Sequence, residues 1–551
     1  MSVRYQRRTS RTVSDIPDYA PKGSRRGNKG GSRVLSVLAW AVALACLLPM
    51  VAVALAAVTG GTDTVTHLME TVLLRYTGTT IVLVLLVAVG TFSIGVGAAW
   101  LVTMTRFPGV RFFEMALILP LAFPAYVLAY AYTFVLDHPG IVQATLRDIT
   151  GWGPRDYWFP EIRSNTGAAL MLVLVLYPYV YLLARAAFLQ QSSGAFLAAR
   201  ALGNTSWQAF WRVSLPMARP AIASGLLLAI METIADFGTV SYFGVQTFAT
   251  GIYTSWFTMA DRAGAAQLAL VLLGFALTLA VVERSTRGKA RYHHAGKQHT
   301  KMPPATLTGS RVLIAWVLCA IPVLLGFLLP TIILIDMGLE SEQNLLSRRY
   351  IGFIQNSLTL ASVAALLTVC AAVCIGFYLR LQPGRAATAA AYSARLGYAV
   401  PGGVIAVGLM VPFAAFDNTL DAWMRATFDI RTGLLITGSI WLLVAAYVVR
   451  FLAAALGAYE GGQSTVHANM DAAARSLGQG PFGMLRRVHL PILSPSLLTA
   501  LLIVFVDVMK ELPATLIMRP FNYDTLAVQA YRLASDERLE GAAVPSLVIM
   551  A

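Results

Sequence analysis

Arg200-Ala201-Leu202-Gly203, followed by Leu215-Pro216, Pro220, Glu232 and Asp236, returns 275 residues later as Arg475-Ser476-Leu477-Gly478, Leu490-Pro491, Pro495, Asp507 and Glu511. The correspondence runs from Phe196 to Trp256 and needs no gap. A repeat of this length in an apolar chain means two copies of one membrane unit, facing each other about a pseudo-twofold axis. Such an axis is where a pathway can run.

Working outward, composition excludes a soluble globular protein. The 551 residues are 57% hydrophobic and 13% charged, against about 25% charged in ordinary soluble domains, and the mean hydropathy is +0.66. Twelve apolar runs read as helices, at roughly 35–58, 79–103, 112–136, 165–190, 217–243, 264–283, 311–335, 355–379, 388–414, 432–456, 491–512 and 541 onward, most of them long enough for about 30 Å of hydrocarbon. The expected fold is therefore an all-α polytopic membrane protein, two tandem six-helix units with about 12 membrane helices. The last run reaches Ala551 well short of its counterpart's length, so the pattern predicts an incomplete final helix.

Charge orients the chain. With the amino terminus in the cytoplasm, most of the 42 Lys and Arg fall in inner segments and most of the 27 acids do not, the positive-inside signature. The excess of +15 thus reads as topology and attraction to anionic lipid, not as a nucleic-acid footprint. Residues 1–34 read as a disordered basic cytoplasmic tail. The run that follows is too long for a signal-peptide core and is expected to stay as the first helix. Domains follow at 35–283 and 311–551, joined by a cytoplasmic linker, 284–310, whose His293, His294 and His299 read as solvated because no carboxylate or thiol completes a metal site. Cys46, Cys319, Cys370 and Cys374 lie in apolar runs and read as packing residues.

At 192–216 and again at 464–491, a moderately polar stretch interrupts the apolar pattern. Each has the form Ala-Ala, three residues, Gly, eleven residues, Leu-Pro. That suits a short interfacial helix, a turn at Gly203 or Gly478, a second short helix, and a Pro in the first turn of the next span. The pattern resembles the cytoplasmic coupling loop of ABC importer permeases, the binding-protein-dependent family, and it occurs twice at the right place among six apolar runs per half. In that family a Glu precedes Ala-Ala; here the position holds Leu197 and Ala472, with Asp471 one residue early. The downstream stretches, Glu232 to Phe248 and Lys510 to Ala527, together with Tyr177-Pro178-Tyr179-Val180-Tyr181, resemble the fused two-domain permeases of ferric iron importers. Fused permeases for thiamine, polyamines and phosphonates share that architecture, and an ion-driven transporter with internal repeats is the alternative from a different class.

The resemblance implies a type I importer fold in the bacterial inner membrane. It also implies contact with an ATPase through Ala198, Ala199, Arg200, Gly203 and Ala473, Ala474, Arg475, Gly478. The chain has no Gly-x-x-x-x-Gly-Lys-Ser/Thr loop and no catalytic motif. It is expected to be no enzyme and to carry no cofactor, with ATP and Mg bound by two copies of a separate ATPase subunit. A periplasmic ferric-ion-binding protein would deliver the solute.

The residues speak to the solute independently. At about 1.5 Å per residue from Pro216, Glu232 lies about 24 Å and Asp236 about 30 Å along its helix. Asp507 and Glu511 occupy the same depth in the second copy, so the pseudo-twofold brings four carboxylates toward the axis. Unpaired carboxylates at that depth are costly, and their oxygens are ligands for hard cations. The expected pathway, and a transient metal site, is Glu232, Asp236, Asp507 and Glu511. The structural alternative pairs Asp507 with Lys510 at i,i+3. Gly238 and Pro513 are expected to end helices there and free backbone carbonyls beside the acids. Glu114 is expected to pair with Arg111, the tyrosines 126, 130, 132, 177, 179 and 181 to anchor or pack, and Pro120, Pro124, Pro401 and Pro412 to kink the third and ninth helices.

Overall fold

A computed structural model of the chain describes residues 29–61, 66, 68, 70–191, 193–287, 305–341, 343, 346–463 and 465–550. Most of the basic tail, and the linker centre with its three histidines, lie outside these residues.

Among the described residues, ten helices are long and apolar enough to cross a membrane: α1 (Arg33–Thr59), α2 (Leu73–Met104), α3 (Asn165–Gln190), α4 (Ser206–Ala235), α5 (Arg262–Val282), α6 (Ser310–Glu340), α7 (Arg348–Leu381), α8 (Gly402–Phe428), α9 (Ile440–Gln463) and α10 (Pro481–Met509). The third expected run is an eleventh span only as a broken pair, Val110–Ala122 and Ala125–Thr150, bent by 90°. Phe123 precedes Pro124 and is extended, as a residue before proline prefers, so the helix cannot pass through. The expected ninth run is broken as well. Arg385–Leu396 stops short of Pro401, and α8 begins after it at Gly402. The twelfth run is the short helix Leu539–Met550.

The halves interleave. α1 packs on α8 of the second half, where a Cβ on Gly408 would collide with the Pro49 carbonyl. In return α6 meets the first half: a Cβ on Gly326 would come within 3.0 Å of the Leu174 carbonyl and Pro120, and Trp316 donates to the Pro108 carbonyl at 2.9 Å. The linker's end joins this exchange, Ala305–Thr306 pairing in parallel with Thr105–Arg106. Each half is thereby clasped by the first helix of the other. Cys46 and Cys319 are buried in this packing; on α7, Cys374 is half-buried and Cys370 is exposed, so Cys370 is not the packing residue its apolar run suggested.

The repeated interfacial segments fold alike. Ser193–Ala201 ends in a turn at Gly203 with φ +88°, and Ala468–Ser476 ends at Gly478 with φ +77°. In both, the glycine N–H bonds the carbonyl three residues back and the next N–H bonds five back, the paired closure that satisfies orphan helix carbonyls. A short helix follows, Ser206–Ala209 or Pro481–Met484, and then a π turn, Phe210–Ser214 or Leu485–His489. A third π turn, Leu324–Leu328, also runs directly into Leu-Pro. Proline has no N–H for the carbonyl four back and clashes with it; the wider i→i+5 turn accommodates that loss within a continuous helix.

The anchors behind these segments differ. In the first copy Trp100 contacts Phe188, Phe196 and Phe210, with ring centroids 5.6, 6.0 and 4.4 Å away. In the second, the residue equivalent to Phe196 is Asp471, bound by Arg380 at 2.8 Å and by buried His489 at 2.8 Å. The carboxylate one residue before the family's Glu position is therefore turned inward, while Leu197 and Ala472 at that position are exposed.

Candidate functional site

α4 stops at Ala235 and α10 at Met509, and short helices Gly238–Tyr242 and Pro513–Met518 start beyond the breaks. Gly238 and Pro513 thus open the next helix and do not end the previous one. Tyr126 lies against Gly238, 2.7 Å from where a Cβ would stand, and Pro513 occupies a first-turn position that needs no N–H.

Each break leaves the last carbonyls of one helix and the first N–H groups of the next without helical partners, and the acids take the N–H groups. Asp236 accepts from the N–H of Thr239 and Val240 and from the Thr239 hydroxyl, each at 3.1 Å. Glu511 accepts from the N–H of Ala514 at 2.9 Å and Thr515 at 3.1 Å, and from the Thr515 hydroxyl at 2.8 Å. Away from water an unmet N–H costs several kcal/mol, and a side-chain oxygen is what meets it.

Glu232 and Asp507 are held by cations. Asp507 pairs with Lys510 at 3.0 Å. Glu232 faces Arg450 of α9 at 3.8 Å, and the same guanidinium reaches Glu511 at 3.3 Å. All four carboxylates, with Arg450 and Lys510, line one cavity of about 100 Å³ between the halves. Tyr126 lines it too, and its buried hydroxyl has no hydrogen-bond partner among the described residues. Toward the interfacial segments a larger apolar cavity of about 1090 Å³ follows, walled by Leu228, Leu502, Ile503 and Val506, with Tyr179, Asp507 and Lys510 shared between the two.

The symmetric argument from sequence placed the four acids around one space, and the structure brings them there. It does not make them one ligand set. Among the described residues no three His, Cys, Asp or Glu side chains are arranged to hold a metal ion. Asp236 and Glu511 are turned onto backbone N–H groups, and Glu232 and Asp507 onto cations. Glu114 pairs with Arg185 at 2.9 Å and not with Arg111, because the Arg185 side chain on α3 faces the short helix Val110–Ala116. The tyrosines are largely core: Tyr130, Tyr177 and Tyr181 are fully buried, and Tyr132 donates to the Leu325 carbonyl at 2.6 Å. Arg450 was missed. Its signal was present, a lone cation between Val449 and Phe451 in an apolar run, which in a membrane helix marks a partner or a pathway.

At the interfacial segments the two copies match residue for residue. Ala199 and Ala474 are buried, while Ala198, Ala473, Arg200, Arg475, Gly203 and Gly478 are exposed. Leu202 and Leu477 stand out to solvent, as do Trp207 and its equivalent Phe482. Each copy thus presents two exposed apolar side chains beside exposed arginines.

Away from these segments the halves touch across a polar seam. Arg163 binds Glu537 through two bonds, at 2.9 and 3.0 Å, and Asp137 at 3.0 Å. Ser241 and Tyr531 share a hydrogen bond of 3.0 Å.

Comparison with known proteins adds a family and three relatives. Residues 91–287 and 372–549 match the family model described as "Binding-protein-dependent transport system inner membrane component". The Fe(3+)-transport system permease protein FbpB 2 of Haemophilus influenzae is 27% identical over 94% of this chain and 95% of its own length. The ferric transport system permease protein FbpB of Actinobacillus pleuropneumoniae is 24% identical over 76% of this chain and 60% of its own. The molybdenum transport system permease protein ModB of Escherichia coli is 28% identical over 33% of this chain and 80% of its own.

Proposed function

The chain belongs to the family of binding-protein-dependent transport system inner membrane components and is a multi-pass importer permease; from that premise we propose that its cargo is ferric iron. The full-length similarity to an Fe(3+)-transport permease supports this, and one structural observation carries it: an axial cavity where carboxylates from both halves outnumber the cations. A trivalent cation in a low-dielectric passage requires compensating negative charge. Glu232, Asp236, Asp507 and Glu511 provide it, while Asp236 and Glu511 also fix the shape of the passage.

Two copies of an ATPase dock on the paired segments around Ala198, Ala199, Arg200, Gly203 and Ala473, Ala474, Arg475, Gly478, with the exposed apolar side chains as the contact. The segments and the amino terminus face the cytoplasm. A periplasmic ferric-ion-binding protein docks at the opposite end. ATP and Mg bind in the ATPase; ATP binding moves both segments and parts the halves at the far end, so that the cavity receives iron and then releases it through the apolar vestibule. The weak, shared charge of the cavity suits release, since a tight cage would hold the ion.

The test is reconstitution of the chain with its ATPase in liposomes. Ferric-loaded binding protein should stimulate ATP hydrolysis and drive uptake of radioactive iron, and the chain alone should hydrolyse none. Uptake driven by an ion gradient without ATP, or stimulation only by a binding protein loaded with an organic solute, overturns the reading.

A further inference from the structure

Arg450 stands between carboxylates of the two halves. It projects from the middle of α9 and is 11% exposed, between Glu232 of the first half and Glu511 of the second. Nothing in the first half repeats it: the residue 275 positions earlier is Val175. Space has been left for it, because any Cβ on Gly402 would run into the guanidinium and come within 2.8 Å of a Glu511 oxygen. Among the pathway acids Glu511 is 2% exposed and fixed to backbone N–H groups, whereas Glu232 is 32% exposed and faces the cavity.

We propose that Arg450 is the selectivity gate of the permeation path, a tethered cation that stands in the cargo's place between Glu232 and Glu511 whenever the transporter is closed. This rests on the cation-pathway reading above. With the guanidinium in place, the cavity presents Glu232 and Glu511 already paired, and a second cation meets positive charge there. Parting of the halves draws Glu232 away from Arg450, because they belong to different halves. Glu232 then becomes the carboxylate open to a delivered cation, and reclosure returns Arg450 to Glu232 and displaces the cargo toward the vestibule. A guanidinium suits this role because it stays charged at every working pH and bridges two carboxylates at once.

The experiment uses the full transporter, chain plus ATPase, in liposomes without ATP or binding protein, with entrapped calcein reporting Mn²⁺ entry and a separate dye reporting iodide. Arg450→Met should let Mn²⁺ enter at least about tenfold faster than wild type, since the remaining acids concentrate cations in the cavity. Iodide entry should stay at the wild-type rate, which a merely loosened fold would not allow. Arg450→Lys should restore exclusion of Mn²⁺. Should Arg450→Met fail to assemble, Gly402→Ala pushes the guanidinium off its seat without removing it, and the same cation-selective leak is expected. An assembled variant that leaks no faster than wild type, or leaks both ions alike, overturns the inference. Iron uptake by the wild-type complex tests the cargo reading separately, so the two failures are distinguishable.

Discussion

At the residue scale, Asp236 and Glu511 are equivalent by sequence and alike in bonding, yet they carry different burdens. Both cap a short helix at a break. Only Glu511 also partners a buried arginine. Removing a cap costs about 1 kcal/mol, while breaking a buried ion pair and leaving its partner costs about 3–5 kcal/mol. In thermal melts of the purified chain, Glu511→Ala should therefore lower the midpoint clearly more than Asp236→Ala. Equal losses would mean that Arg450 draws no stability from Glu511. This difference was not legible in the sequence, where the two acids are one symmetric pair. It depends on Arg450, which lies 61 residues away in the chain and reaches Glu511 only through packing of α9 against α10 and the opening at Gly402.

At the scale of elements, the spacing from Gly203 or Gly478 to Leu-Pro foretold helix, turn and helix, and that is what forms. Turn chemistry is local, so a glycine with positive φ and a proline in a first turn can be read from a few neighbours. What holds each element in place is not local. Phe196 and Asp471 occupy one position of the repeat, one in an aromatic cluster around Trp100 and the other in the Arg380–Asp471–His489 triad. Burial alone would raise the Asp471 carboxyl, but the hydrogen bonds from Arg380 and His489 outweigh it and hold the group below its ordinary 3.8. A carboxyl depressed in the folded state gives stability that is full above its unfolded value and is lost as pH falls through the folded one. Wild type should thus melt above Asp471→Asn near neutral pH, and the gap should close only below pH 3.8. A gap that closes at mildly acidic pH instead would place the dependence on His489.

At the scale of the whole molecule, α1 and α6 exchange halves, so the two units cannot part as free bodies and must pivot on these clasps. The seam at the end opposite the interfacial segments, Arg163 with Glu537 and Ser241 with Tyr531, is where they can separate. Its ion pair is partly exposed, and exposed pairs typically add only about 0.2–1 kcal/mol. Joining Arg163→Cys to Glu537→Cys with a short thiol crosslinker should abolish iron uptake while leaving assembly with the ATPase intact. Undiminished uptake by the crosslinked protein would show that the cargo does not enter by this seam. The class, the repeat, the two Gly-to-Leu-Pro segments and the matching places of four acids were legible in the sequence. Hydropathy, turn residues and a constant offset of 275 are properties of order along the chain. Only the tertiary structure decided which acids bond N–H groups, which face cations, that Arg450 joins the halves, and that the expected ninth run is two helices. Those outcomes turn on which polar groups meet where water is excluded, and neighbours distant in the chain settle them.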